Sequence, residues 1–110
     1  MEITTTEYKN CDVIHPIGRV DSAGAPQLEA AINAVTQLGR HKIVLDMSEV
    51  TFVSSAGWWV LIGAQKNCKK HRGEVVLACI ETGIRASLKL VGMDDYFRIY
   101  DEMTAAVGNI

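Results

Sequence analysis

The feature of the sequence that most constrains the fold is the alternation of short apolar runs with longer stretches of helical spacing. Strands are predicted at residues 3–8, 13–18, 43–45, 50–53 and 75–79, with a short edge strand at 97–100. Between them, apolar side chains recur at three- and four-residue steps and predict helices near 21–39, 58–71, 84–92 and 101–107. This order predicts an α/β fold with a mixed, mostly parallel sheet and helices packed on it.

The first two strands are expected to form an antiparallel hairpin, because only a short turn at Lys9 and Asn10 separates them. Pro16 cannot donate a ladder hydrogen bond, so the second strand should be imperfect or lie near an edge. A chain of 110 residues with no linker or repeat is one domain, spanning residues 1–110.

Composition and charge exclude several classes of function. The longest stretch without a polar side chain has nine residues, 56–64, whereas a membrane span needs about twenty. The N-terminus has neither a basic start nor an apolar run, so we expect no signal peptide and a cytoplasmic location. A formal net charge of −2 argues against direct nucleic-acid binding. The densest basic run, residues 66–72, falls at the end of a predicted helix, where cations complement the helix dipole.

The residues that could bind a metal or a cofactor form no recognisable site. No phosphate-binding glycine loop is present, and His15, His41 and His71 have no partner at helical ligand spacing. The three cysteines form no C-x-x-C pair and are expected to be buried or half-buried thiols. We therefore predict a protein that is not an enzyme and that has neither a metal nor a cofactor.

One segment, residues 46–57, combines a strand with two serines at the start of a helix. Helix N-termini carry unpaired N–H groups and a partial positive charge. One interpretation is that a serine simply caps the helix. The other is that a serine hydroxyl accepts a phosphate, which a helix N-terminus can hold without unfolding.

Three motifs follow one another along the chain: Gly18-Arg19-Val20-Asp21, Asp46-x-Ser48-x-Val50-x-Phe52-Val53-Ser54-Ser55-Ala56-Gly57, and Val91-Gly92-Met93-Asp94-Asp95-Tyr96-Phe97-x-Ile99-Tyr100. Together they resemble the STAS domain of bacterial anti-sigma-factor antagonists. The resemblance implies a STAS-like fold with a four- or five-stranded sheet and about four helices on one side. It also implies a switch protein that captures an anti-sigma factor, itself a serine kinase, and so releases a sigma factor; a serine phosphatase would act on the phosphorylated form.

Position by position, the resemblance places the phospho-acceptor on Ser55, with Asp21 beside it. Ser54 stands where the family usually has Asp, which leaves a second hydroxyl that could compete for phosphate. Trp59 stands where the family tends to have Gly. The departure at Ser54 also favours an alternative function, a STAS scaffold subunit of a signalling or lipid-transport complex that binds its partner constitutively.

Helical geometry adds a candidate partner-binding face. At about 100° per residue, Gly57, Leu61, Ala64 and Cys68 form a plausible core face, whereas Trp59, Ile62 and Lys66 fall on the opposite side with Ser55. Exposed aromatic and aliphatic side chains beside a regulatory serine would make a binding patch, although Trp59 could equally fold onto nearby loops. The predicted partner-binding residues are Asp21, Ser54, Ser55, Trp59, Ile62 and Lys66, and the oligomeric state is left open.

Overall fold

The computed structural model describes residues 1–110 and contains every predicted element. The strands are β1 (Glu2–Glu7), β2 (Asp12–Val20), β3 (Lys42–Asp46), β4 (Val50–Val53), β5 (Glu74–Ala78) and β6 (Ile99–Tyr100). The helices are α1 (Ala25–Thr36), α2 (Ser55–Lys70), α3 (Thr82–Leu90) and α4 (Met103–Asn109), and a 3-10 turn covers Asp94–Tyr96. None of the helices is both long and apolar enough to span a membrane.

The six strands form one mixed sheet in the order β1-β2-β3-β5-β6, and β4 pairs with β2 beside this path. Only the β1–β2 pair is antiparallel, which confirms the predicted hairpin. The sheet has more strands than the four or five expected, because β4 and the two-residue β6 both pair.

Pro16 lies inside a central strand rather than at an edge. β2 pairs with β3 through residues 12–14 and with β4 through residues 18–20. Pro16 falls between these two ladders, where its missing N–H removes no hydrogen bond to either parallel neighbour. β2 is thus not an edge strand, but the expected imperfection is present, because its parallel pairing passes from β3 to β4 around Pro16 and shifts register between Gly18 and Arg19.

The helices cover both faces of the sheet, which corrects the expectation that all of them would pack on one side. Ile43 and Leu45 of β3 join the larger core, which also includes buried residues of α1, α2 and α3. Val44, between them, points to the opposite face and joins a smaller core with Ala106 of α4. Successive side chains of β3 and β5 therefore point to opposite faces of the sheet. The domain has three layers, and α4 is the one helix that covers the second face.

The parallel pairing of β2 with β4 fixes the position of the candidate site. Val20 pairs with Val53 at the carboxyl ends of the two strands, and the Ser54 N–H donates to the Val20 carbonyl at 2.9 Å. Asp21 and Ser54 are therefore the first residues to leave the sheet from adjacent strands. This register brings Asp21 and the two serines to the same edge of the sheet.

Candidate functional site

The two serines at the start of α2 have different roles. Ser54 has an extended backbone (φ −82°, ψ 172°) and is the N-cap residue, its Oγ accepting a hydrogen bond from the Gly57 N–H at 3.3 Å. Ser55 is the first residue of the helix and is exposed, and its Oγ makes no hydrogen bond within the chain. The two interpretations that sequence offered for a single serine therefore apply to two residues: Ser54 caps the helix, and the exposed hydroxyl of Ser55 is available for modification.

Gly57 sets how closely α2 approaches the strands. A Cβ at Gly57 would lie 2.8 Å from Val20 Cγ1 and 2.9 Å from both the Val20 carbonyl oxygen and Val53 Cγ1. Any side chain would push the first turn of α2 away from the ends of β2 and β4. Glycine here thus holds Ser55 at the carboxyl edge of the sheet.

Asp21 is an ionised carboxylate in the loop between β2 and α1. Its Oδ1 accepts hydrogen bonds from the backbone N–H groups of Gly24 at 2.9 Å and of Ala23 at 3.1 Å. The bond from Gly24 is the largest influence lowering the pKa of Asp21; desolvation opposes it, and the Ala23 bond and the Arg19 charge reinforce it. α1 itself begins later than predicted, at Ala25, because Asp21 caps the preceding turn.

Trp59 and Lys66 are exposed on the face of α2 that also carries Ser55. Trp59 lies one turn after Ser55, and 64% of its surface is exposed. Beside Trp59, a shallow groove runs between α1 and α2, with Glu29, Ile32 and Asn33 on one wall and Val60 and Gly63 on the other. The predicted exposure of Trp59 is confirmed, and its role in binding a partner stays a prediction.

Ile62 does not belong to this face, which corrects the predicted patch. It is only 2% exposed and belongs to the larger core. The predicted core face is confirmed for Gly57, Leu61 and Cys68, but the buried arc of α2 is shifted to include Trp58, Ile62 and Gln65 as well. The shift arises because α3 and the turn after it cover a flank of α2 that the sequence pattern left open.

Two polar side chains on that flank join α2 to its neighbours, and sequence reasoning missed both contacts. The Trp58 Nε1–H donates to Ser87 Oγ of α3 at 2.9 Å. Gln65 is 1% exposed; its Nε2 donates to the carbonyls of Val75 and Tyr96, and its Oε1 accepts from the Val75 N–H at 2.6 Å. With every polar atom paired, these contacts hold α2 against both β5 and the α3 segment.

An aromatic side chain that the sequence analysis did not select is exposed close to the serines. Phe52 of β4 is 37% exposed, and the Arg19 guanidinium lies 4.2 Å above its ring. The two residues are register partners in the β2–β4 pair. A cation stacked on an exposed ring is a surface that partners can use.

Asp46 is the last residue of β3 and Ser48 lies in the turn that follows, and Asp46 belongs to a cluster around His15. Asp46 Oδ1 accepts from the Ser48 N–H at 3.1 Å, and Asp46 Oδ2 lies 2.9 Å from His15 Nδ1. Glu49 Oε2 lies 2.6 Å from His15 Nε2. Burial alone would lower the pKa of His15, but its hydrogen bonds to Glu49 and Asp46 outweigh burial and raise it. His15 thus has two carboxylate partners that are distant in sequence, which is why it looked isolated.

The comparisons with known proteins agree with this geometry. The STAS domain family matches residues 2–106. The chain belongs to the STAS domain family. Its fold matches a crystal structure of an anti-sigma factor antagonist from Mycobacterium paratuberculosis with a TM-score of 0.86 and 26% identity, covering 97% of this chain and 91% of that one. The predicted α/β STAS fold is confirmed.

Two curated relatives of this STAS domain are named as antagonists. A candidate anti-sigma factor antagonist of Bordetella bronchiseptica, BtrV, is 33% identical over 89 residues, 81% of this chain and 77% of that protein. An anti-sigma-B factor antagonist of Listeria monocytogenes is 24% identical over 99 residues, 90% of this chain and 86% of that protein. The prediction that the chain is not an enzyme is confirmed by the family, since anti-sigma factor antagonists are binding proteins.

Proposed function

We propose that this STAS domain is an anti-sigma factor antagonist whose binding is switched by phosphorylation of Ser55. The observation that carries the proposal is the position of Ser55. Its hydroxyl is exposed and unbonded at the first residue of α2, one turn before the exposed ring of Trp59. A kinase can therefore reach the hydroxyl, and a partner seated on Trp59 would contact the modified residue.

Phosphate at Ser55 acts on the interface rather than on the fold. It adds about −1.5 to −2 charges at pH 7, and the N-terminus of a 16-residue helix accommodates that charge. Asp21, which leaves the adjacent strand, already contributes a carboxylate held ionised by backbone N–H groups. A partner surface suited to one carboxylate and a neutral hydroxyl would face about 1.5 to 2 additional units of negative charge and lose affinity.

The structure supports Ser55 rather than Ser54 as the acceptor. Ser54 is half-buried, and its Oγ is already engaged as the helix cap. Phosphate on Ser54 would disturb that cap. The replacement of the family's usual Asp by Ser at this position keeps the same local function, because Ser and Asp are both preferred N-cap residues.

The proposed partner is an anti-sigma factor that is also a serine kinase, and a serine phosphatase resets the switch. The two curated relatives named as antagonists support an anti-sigma factor as the partner. Regulation of this kind takes place where sigma factors act, so the proposed location is the cytoplasm.

The test is to incubate the protein with its cognate kinase-type anti-sigma factor and ATP. Fragmentation mass spectrometry should place the phosphate on Ser55, and calorimetry should show affinity falling as phosphate is incorporated. Ser55→Ala should bind without being switched, whereas Ser55→Asp should bind more weakly at an unchanged melting temperature. Ser54→Ala is the matched control and should still be phosphorylated.

Two results would contradict the proposal. Phosphate found mainly on Ser54 would place the acceptor one residue earlier. A protein that binds the kinase with constant affinity and never becomes phosphorylated would be a constitutive scaffold, the alternative that Ser54 in place of Asp suggested.

A further inference from the structure

A second concave surface lies at the other end of the parallel strands from Ser55, where β3 and β5 begin. Three separate segments meet there: the β1–β2 turn, the loop from α1 to β3 and the loop from α2 to β5. We call this surface the basic pocket. Its positively ionisable side chains are Lys9, Arg40, His41, Lys42, His71 and Arg72.

Interaction with the dipole of α2 does not account for the positive charges of the basic pocket. Lys69 and Lys70 lie in the last turn of α2 and complement its dipole. Lys9 and Lys42 come from other elements, and Arg72 lies beyond the helix end, so the dipole does not explain why they converge. None of the three has a carboxylate within ion-pair distance. The pocket thus concentrates unpaired positive charge on a chain whose net charge is −2.

Arg40 orders the pocket rather than adding to its available charge. Its Nε donates to the buried Asp12 carboxylate, and its Nη2 donates to the carbonyls of Tyr8 at 2.6 Å and Cys11 at 3.3 Å. These bonds tie the α1–β3 loop to the β1–β2 turn. Asp12, the only carboxylate in the pocket, is neutralised by the same contact.

Two histidines form a pre-assembled wall of the pocket. The His41 and His71 rings stack with centroids 4.1 Å apart and planes within 8° of parallel. The loops that carry them are in close contact, since a Cβ at Gly73 would lie 1.8 Å from the His41 carbonyl oxygen. The His71 Nδ1–H already donates to the Asn67 carbonyl at 2.9 Å, so the His41 imidazole is the ring of this wall with an N–H free to donate to an anion.

Arg72 occupies a position that normally belongs to glycine. The N–H groups of Gly73 and Arg72 donate to the carbonyls of Cys68 and Lys69, a Schellman ending of α2 that requires a left-handed residue. Arg72 supplies it with φ of 62°. Glycine would adopt this conformation at lower cost, so the arginine sacrifices backbone stability and places a cation at the pocket.

We propose that the basic pocket binds a phosphate group carried by a small soluble molecule. A phosphate offers several acceptor oxygens and a double negative charge, which suits donors converging from three loops. The lining also argues against a protein segment: Cys11 is its only hydrophobic residue, whereas protein interfaces depend on apolar and aromatic anchors. This site is separate from Ser55 and does not depend on the function proposed there.

The experiment measures binding of inorganic phosphate and of pyrophosphate by calorimetry and thermal unfolding, with ionic strength held constant by sodium chloride. Both anions should raise the melting temperature above the chloride reference. Amide NMR signals of His41 and Gly73 should shift, and that of Ser55 should not. Stronger binding of pyrophosphate is expected if the phosphate is carried by a larger molecule, and equal binding would favour free phosphate as the ligand.

Charge-removing variants separate a site from general charge. Lys42→Gln should weaken binding about tenfold, as expected for loss of one charge-assisted contact. Arg72→Gly should weaken binding similarly while raising the melting temperature of the unliganded protein, a combination that a purely structural residue would not produce. Lys89→Gln, on α3 outside the pocket, is the matched control and should bind like the wild type.

Three results would overturn the proposal. One is no response beyond that to chloride. Another is equal weakening in the Lys89 control. The third is binding of an acidic peptide by a protein that binds neither phosphate nor pyrophosphate.

Discussion

Truncation of the two adjacent tryptophans tests the proposed binding face most directly. Trp58 is 1% exposed and donates a hydrogen bond to Ser87, whereas Trp59 is 64% exposed. Trp58→Ala should lower the free energy of unfolding by about 3–5 kcal/mol, the usual cost of removing a buried Trp. Roughly a third of Trp59 is buried, and full burial of a large apolar side chain is worth about 1.5–3 kcal/mol, so Trp59→Ala should cost only about 0.5–1 kcal/mol.

The binding effects should have the opposite order. If Trp59 is an anchor for the anti-sigma factor, its truncation should cost about 2 kcal/mol or more of binding free energy, roughly a thirtyfold rise in Kd. Urea unfolding gives the stability of each variant. Because the chain has only two tryptophans, each single variant also retains one fluorophore as a reporter. Calorimetry with the anti-sigma factor gives the affinity of the folded protein.

The controls keep this comparison decisive. If Trp58→Ala is unfolded, Trp58→Phe keeps most of the packing and loses the hydrogen bond to Ser87. Trp59→Ala destabilised as severely as the Trp58 variant would show that the ring is part of the core. Unchanged affinity in a folded Trp59→Ala protein would show that the exposed ring is no anchor. Either result would refute the argument from helical position.

The remaining predictions concern what holds the site in place. Ser54→Ala should lower the free energy of unfolding by about 1 kcal/mol through loss of the cap, and Ser55→Ala should leave it nearly unchanged in the same urea titration. Gly57→Ala should destabilise the protein because its Cβ meets Val20, whereas Gly63→Ala, with open space around it, should stabilise it by about 0.5–1 kcal/mol. The raised pKa of His15 makes its stabilising contribution complete below its unfolded pKa, about 6.5, and lost as the pH rises through the higher folded pKa. In melting temperatures measured over a series of pH values, His15→Gln should remove this loss of stability with rising pH. A variant with the same pH dependence as the wild type would contradict the assignment.

The elements that sequence predicts well are those whose pattern is local. Strand and helix periodicity depends on neighbouring side chains, so β3, β5 and the four helices were found from spacing alone. The distribution of the helices over the two faces of the sheet could not be predicted from spacing, because it depends on whether Val44 or its neighbours pack under α4. Either side of a fully apolar strand can receive a helix, so β3 gives no local signal.

Within the site, sequence located the serines and Trp59 but misplaced Ile62. Spacing along α2 identifies an apolar arc, and Ile62 lies at its border. Whether this edge of the arc is buried depends on where α3 packs, and the sequence of α2 does not predict the position of α3. The His15 cluster and the stacked pair of His41 and His71 were missed for a related reason, since their partners are 30 or more residues distant in sequence.

The rigidity of α2 determines what kind of switch this domain can be. Its start is fixed by the Ser54 cap and by the close approach of Gly57 to Val20. Its flank is held by Gln65, whose polar atoms are all paired with the backbone of β5 and of Tyr96. A phosphate on Ser55 touches none of these contacts and is compatible with the helix dipole, so it offers little energy for rearranging the fold. If Ser55 is the proposed switch, a response to that phosphate must come from direct repulsion at the surface shared with the partner, and we then expect the switch and the binding face to be the same patch of α2.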